Sequence, residues 1–191
     1  LHVTTMLSIS GAGYSGVPSY AILDNVVPFI KDEEEKIETE PLRILGRWSG
    51  DRFVDADFRI SAQTNRVAVI DGHTMTISLS VNERNKAQLG AGGRNLIEEI
   101  RSAITAFQGE PQRLALPSAP RQPIHLLDEN DRPQPRLDRE REKGMAVSVG
   151  RIRRCPILDV RMVALVHNTI RGAAGAAILN AELLCAMDLL P

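Results

Sequence analysis

Two side chains able to handle an anion and a proton bracket the run Arg66-Val-Ala-Val-Ile-Asp-Gly-His73-Thr74. The planar fork of an arginine can donate two parallel hydrogen bonds to a carboxylate. An imidazole just past a turn, partly open to solvent, exchanges protons near neutral pH. The pair points to a site that holds an anionic substrate and moves a proton, although a strand-end arginine and a surface-turn histidine would read the same way. Val67, Val69 and Ile70 predict an extended strand between them, and Asp71-Gly72 predicts the turn that presents His73.

Two other segments sharpen that choice. Near the start stands Ser10-Gly11-Ala12-Gly13-Tyr14-Ser15-Gly16-Val17-Pro18, whose glycines permit close approach of backbone to a ligand. Near the end stands His167-Asn168-Thr169-Ile170-Arg171-Gly172-Ala173-Ala174-Gly175, followed by Asn180-Ala181-Glu182-Leu183-Leu184. In this order and spacing the three segments resemble the aspartate-semialdehyde dehydrogenase family, in its archaeal and fungal branch. Asp24 to Pro28 and Pro133 to Asp138 belong to the same resemblance, which covers nearly the whole chain.

The resemblance implies an NADP-dependent enzyme of amino-acid biosynthesis, the route to lysine, threonine and methionine, that reduces aspartyl 4-phosphate to aspartate semialdehyde in the cytoplasm. A cysteine thiolate attacks the carbonyl, and covalent catalysis splits one hard step into two. By this resemblance His73 is the acid/base group and Arg66 clamps the substrate α-carboxylate. Glu33 contacts substrate and Lys36 serves the phosphate, although Glu34 or Glu35 could take the place of Glu33. Ser10 and Gly11 lie beside the nicotinamide, and Asn168 holds its carboxamide. The family's nucleotide-binding domain and nucleophilic cysteine precede the matched region, so the expectation is a single substrate-binding and dimerisation domain over 1–191, with the NADP-binding domain absent and no activity alone. Three positions depart from the family pattern: Leu7 replaces a glutamine that orients the acyl intermediate, Ala68 a proline, and Met75 a glutamate. Two alternatives follow: a non-catalytic homologue retained for assembly, or a related acyl-phosphate or acyl-CoA reductase domain.

Composition bounds the rest. The 191 residues, 43% hydrophobic and 25% charged, suit one soluble domain with a sizeable core. A net charge of -1 offers no general attraction for nucleic acid. No apolar run approaches the roughly 20 residues that span a bilayer. Cys155 and Cys185 form neither a metal-ligand spacing nor a disulfide framework, so no metal site is expected. Cys185 is read as core filling and Cys155 as an inert loop thiol. The partners expected are a small-molecule substrate and a second copy, as a homodimer or higher homo-oligomer.

The elements that must position the site read as an α+β fold, a mixed or antiparallel sheet with helices on one face, similar to the C-terminal domain of glyceraldehyde-3-phosphate dehydrogenase-like enzymes. Val3 to Ile9, Asp57 to Ser61, Met145 to Val149 and Val160 to Val166 read as strands. Thr74 to Val81 alternates cleanly, with Met75, Ile77, Leu79 and Val81 on one side. The acidic run from Asp32 reads as a solvated helix start, and Pro41 as the first turn of a short helix ending near Gly46. A helix capped by Asn95 and Glu98 carries the stripe Leu96, Ile97, Ile100, Ile104 and Phe107 and stops at Gly109. Pro111 to Gly144 is too rich in proline for a long helix or a central strand, and reads as an ordered excursion over a neighbouring subunit. Ala173 to Leu190 reads as a final helix.

Overall fold

A computed structural model describes residues 1–83, 86 and 95–190. Its centre is a sheet of six strands: β1 (His2–Leu7), β4 (Ser61–Arg66), β5 (His73–Leu79), β6 (Ile124–Leu127), β7 (Val147–Arg154) and β8 (Val160–Val166). They lie in the order β4-β1-β5-β8-β7-β6. The two outer pairs, β1 with β4 and β6 with β7, are parallel, and the inner pairs are antiparallel. A separate two-stranded ribbon joins β2 (Arg47–Trp48) to β3 (Phe53–Val54).

The alternation in β5 holds from Thr76 onward, whereas Thr74, on the face expected to be wet, is buried. Ile77 and Leu79 pack with Met162, Val149, Ile152, Val160 and Ala164 under helix α3 (Leu96–Ala106). Thr76 on the opposite face is exposed. Removing such a face from water is worth about 25 cal/mol per Å². Helix α3 starts where its cap predicts: Asn95 Oδ1 accepts from Glu98 N–H at 3.1 Å, and Glu98 Oε2 accepts from Asn95 N–H at 3.2 Å. Its stripe seals the core through Leu96, Ile97, Ile100 and Ile104. Phe107 does not join them; it caps the helix in extended backbone and stays half exposed.

Several elements differ from expectation, each for a physical reason. Residues 67–72 are not a strand: β4 ends at Arg66, and the carbonyls of Val69 and Ile70 accept from Ile9 and Ser10 N–H, so the apolar run is spent on a loop contact. The strand expected at Asp57 to Ser61 forms later, at Ser61–Arg66, where the residues are mostly polar and carry no apolar alternation. Helix α2 (Glu33–Ile44), which follows the single turn α1 (Ser19–Ile22), begins at the acidic run and continues through Pro41, which lies in its interior rather than its first turn. Acidic residues in that first turn are favoured by the helix dipole, so the start is set well before Pro41. Glu34 and Glu38 are not merely solvated: their carboxylates accept the outward N–H groups of Thr64 and Ala62, both at 2.9 Å. Val27 pairs with Arg66 on the same edge, so the exposed border of β4 is closed.

The proline-rich stretch is ordered. It holds α4 (Glu110–Arg113), the edge strand β6 and α5 (Pro135–Asp138). The last helix, α6 (Gly175–Ala186), follows a wide turn over Ile170–Ala174 and buries Leu179 against Leu116 and Met145. Cys185 is exposed rather than core filling, because a helix apolar on all sides does not reveal which face is buried. Nor is the Cys155 thiol electrostatically inert: the backbone N–H groups of Leu158 and Ile157 favour its thiolate and lower its pKa.

Candidate active site

The strand polarities bring four chain ends together at one end of the sheet. Strands β1, β4 and β8 finish there, at Leu7, Arg66 and Val166, and β5 starts there, at His73. Sequence-distant side chains thereby meet on rigid elements, which hold a geometry better than loops do.

Ser8, directly after β1, is fully buried and organises the cluster. Its carbonyl accepts from Arg66 Nη1 at 2.8 Å. Its N–H donates to His73 Nδ1 at 3.1 Å, and its hydroxyl lies 3.1 Å from the same nitrogen. The hydroxyl also lies 3.3 Å from Ser10 Oγ. Asn168, just past β8, donates from Nδ2 to Ser10 Oγ at 2.8 Å, and its Oδ1 accepts from Gly72 N–H at 2.8 Å.

Gly11 marks the space that this ring of contacts leaves. A methyl placed there would lie 3.2 Å from Arg66 Nη1, 3.3 Å from His73 Cε1 and 3.4 Å from His73 Nε2. The guanidinium and the imidazole therefore face one volume, which stays accessible because residue 11 has no side chain. No carboxylate pairs with Arg66 among the described residues. Burial, and then the Arg66 charge, lower the His73 pKa to about 4, so the ring is neutral at physiological pH.

The turn before His73 is held from outside. Gly72 has φ 104, a left-handed value that a side chain resists, and a Cβ there would also sit 3.2 Å from Pro135 Cβ and 3.3 Å from Leu165 Cδ1. Arg139 Nη1 donates to Asp71 O at 3.1 Å. The proline-rich excursion thus braces the residue it precedes in space, not in sequence.

Of the residues singled out in the sequence, Ser10, Gly11, Arg66, His73 and Asn168 come together. Glu33 and Lys36 stand on α2, which runs antiparallel along β4 with its start at the Arg66 end, since Glu34 reaches Thr64 and Glu38 reaches Ala62. Glu33 is half-buried and Lys36 exposed. Among the described residues no side-chain hydrogen bond or ion pair joins either to Arg66 or His73. Glu34 cannot replace Glu33 freely, because its carboxylate is committed to Thr64. Leu7, the departure from the family pattern, is buried in the core. Sequence reasoning missed Ser8; its position one residue past a strand and two before Ser10 was the only signal.

The His73 shift carries a stability consequence. From the ordinary value of 6.5 down to about 4, the unfolded chain binds a proton at His73 that the folded chain refuses. Above that window His73 contributes nothing to the pH slope, and through it folding stability falls as pH falls. Allowing for its partial exposure, the loss is about 2 kcal/mol. Urea unfolding at pH 7 and pH 4.5 should show a smaller drop for His73→Asn than for the parent chain; equal drops would contradict the shift.

Comparison with known proteins supplies the context. A family described as semialdehyde dehydrogenase, dimerisation domain, matches residues 1–171. Aspartate-semialdehyde dehydrogenase of Methanothermobacter thermautotrophicus is 48% identical over 186 residues, which is 96% of this chain and 51% of the relative. That of Schizosaccharomyces pombe is 50% identical over 185 residues, 95% of this chain and 49% of the relative. The crystal structure of the Candida albicans protein with NADP superposes with a TM-score of 0.84 at 45% identity, over 99% of this chain and 51% of that one. The chain spans about half the length of the curated relatives it matches.

Proposed function

Because the chain belongs to the semialdehyde dehydrogenase family, as its dimerisation domain, we propose that it is the substrate-side half of an NADP-dependent aspartate-semialdehyde dehydrogenase. The reaction is the reductive dephosphorylation of aspartyl 4-phosphate, in the cytoplasmic synthesis of lysine, threonine and methionine. The observation that carries this reading is the convergence of Arg66 and His73 on the open volume at Gly11.

Each side chain has work suited to its chemistry. Arg66 spends one N–H on Ser8 O, which fixes the guanidinium, and the rest of the fork receives the α-carboxylate. An unpaired cation in a partly buried setting favours an anionic ligand strongly. His73 Nε2 meets the reacting carbonyl. Glu33 and Lys36 approach from α2, where the lysine ammonium serves phosphate as a compact point charge. Asn168 keeps one amide N–H after binding Ser10, which fits the carboxamide of a nicotinamide, and Gly11 lets a flat ring approach. NADP, when bound, supplies the hydride. The thiol nucleophile and most of the nucleotide site belong to the half of the relatives that this chain does not span. A second copy completes a homodimer.

A hybrid tests the reading directly. This chain joined to the nucleotide-binding half of the Methanothermobacter relative should reduce NADP with aspartate semialdehyde in a phosphate-dependent way, and the chain alone should not. A folded hybrid that binds NADP without turnover would overturn the proposal. So would turnover by the chain alone that His73→Ala abolishes.

A further inference from the structure

Strand β7 breaks its register with β8 at a bulge between Gly150 and Arg153. Arg151, inside the bulge, holds φ at 60, a left-handed value that a long side chain resists. Past the bulge, Arg153 stands directly opposite Arg161 of β8. Ile152 lies in the core under α3, as do Val160 and Met162 on either side of Arg161. Both arginines therefore point to the other face of the sheet, where Ser78 of β5 is the next partner of Arg161. Like charges directly opposite each other destabilise a strand pair.

Two of the guanidiniums are held in place by backbone: Arg153 Nη1 donates to Arg151 O at 2.6 Å, and Arg151 Nη1 donates to Asn130 O at 2.7 Å. Arg161 Nε is shut off from solvent and has no hydrogen-bond partner among the described residues. A buried donor on a charged group is costly to leave unpaired. Among the described residues no carboxylate pairs with Arg151, Arg153 or Arg161. Residues 84–94, most of them outside that set, contain no aspartate or glutamate. Burial, and then the charges of Arg151 and Arg161, disfavour the charged form of Arg153, and the Cys155 thiol opposes them. We propose that Arg153 and Arg161, in the field of Arg151, form a binding site for one small tetrahedral oxyanion of the phosphate class.

The chemistry of the donors selects that class. Residues directly opposite in an antiparallel pair stand about 5 Å apart, within reach of one small ligand. A carboxylate presents two oxygens in one plane, which suits a single fork. An oxyanion with four corners can answer two forks and the idle Nε together. Two negative charges also offset more of three cations than one does. The site is separate from the one at Gly11. Arg161 and Val166 stand at opposite ends of β8, and Val166 pairs with His73, so about 17 Å of strand lies between them. A bound anion relieves the repulsion between β7 and β8 and stabilises the fold in proportion to its occupancy.

Cys155 reports on occupancy without any turnover. The N–H groups of Leu158 and Ile157 favour its thiolate most, and Arg161 and the Ser78 hydroxyl add to them. A dianion seated on Arg161 disfavours the thiolate and slows its attack on a neutral disulfide reagent. Cys185→Ser leaves Cys155 as the only thiol. In that variant inorganic phosphate should slow the reaction by about two- to fivefold and the effect should saturate. Chloride at equal ionic strength should give a smaller change without saturation. Phosphate held at Arg66 is more than a Debye length away at about 0.15 M salt and is not felt. Arg161→Gln should remove the phosphate response. Arg153→Gln, near the end of β7, should raise the half-saturating phosphate concentration by about tenfold or more. Equal responses to phosphate and chloride, or a phosphate response that survives both substitutions, would overturn the proposal. So would a response that follows protein concentration, which would show that a second copy covers the arginines instead. None of these readouts involves the assigned reaction, so the two stand or fall separately.

Discussion

Asp138→Asn is expected to destabilise the chain by about 3 kcal/mol, the lower end for breaking a buried ion pair, because its arginine partners keep some contact with solvent. Asp138 is 1% exposed. Oδ2 accepts from Arg132 Nε at 2.8 Å and from Gln134 N–H at 2.7 Å, and Oδ1 accepts from Arg141 Nε at 3.1 Å. Arg132 Nη2 also reaches Oδ1, which makes that pair two-pronged. Burial would raise the pKa of this carboxyl; the hydrogen bonds from Arg132, Gln134 and Arg141 outweigh it and hold the value at about 2. An amide cannot answer two guanidiniums, and its NH2 group would face a donor. Urea unfolding measures the loss, and a change under about 1 kcal/mol would mean that solvent screens the cluster as it screens surface pairs.

The same substitution should be felt at the site. Asp138 closes the turn that carries Pro135 and Arg139, and those two residues brace Gly72 and Asp71 just before His73. The pH dependence has a definite sign. With its folded pKa below the ordinary carboxyl value, Asp138 contributes stability that is complete above about pH 4 and lost as pH falls through about 2. In Asp138→Asn that part of the acid slope should vanish, while the His73 component between about 6.5 and 4 remains.

What could be read from the chain follows from where each contact draws its partners. The Asn95–Glu98 cap and the Ile97, Ile100 and Ile104 stripe are local patterns, so α3 was legible nearly to its ends. Strand β8 was legible because both its faces are apolar enough to mark its limits. Arg66 and His73 were legible as chemistry but not as structure: the apolar residues between them suggested a strand, whereas they pair with the loop after β1. Glu34 looked like solvent-facing charge and Glu38 carried no signal, because their acceptor role depends on a strand edge brought up from far along the chain. Arg132, Asp138 and Arg141 are near neighbours in the chain, inside an excursion read as ordered, but no periodic pattern there marks which of its many charges pair. Ser8 was hidden most completely, since its contribution comes largely from backbone N–H and C=O, which every residue but proline possesses.

Arg66→Lys is expected to lower kcat/KM of the hybrid enzyme by about 10²–10³-fold, with most of the change in KM. Charge is conserved in this substitution, so long-range attraction for the substrate survives. What disappears is the fork. Lysine offers one compact ammonium on a flexible stem, and it cannot hold Ser8 O while presenting two parallel N–H groups to a carboxylate. Losing one charge-assisted hydrogen bond and blurring the other costs about 3–4 kcal/mol, which sets the scale of the rate loss. Folding stability should change little, because Arg66 ends an edge strand whose backbone pairing with Val27 is untouched. Uniform loss of binding raises KM alone, whereas a carboxylate free to swing also misplaces the carbonyl relative to His73 Nε2, so a smaller drop in kcat accompanies it. A substrate analogue without the α-carboxylate separates these causes: the parent hybrid and Arg66→Lys should use it equally poorly. If the lysine variant handled the natural substrate within about threefold of the parent, the carboxylate would have to be held elsewhere, and the open volume at Gly11 would lose its assigned occupant.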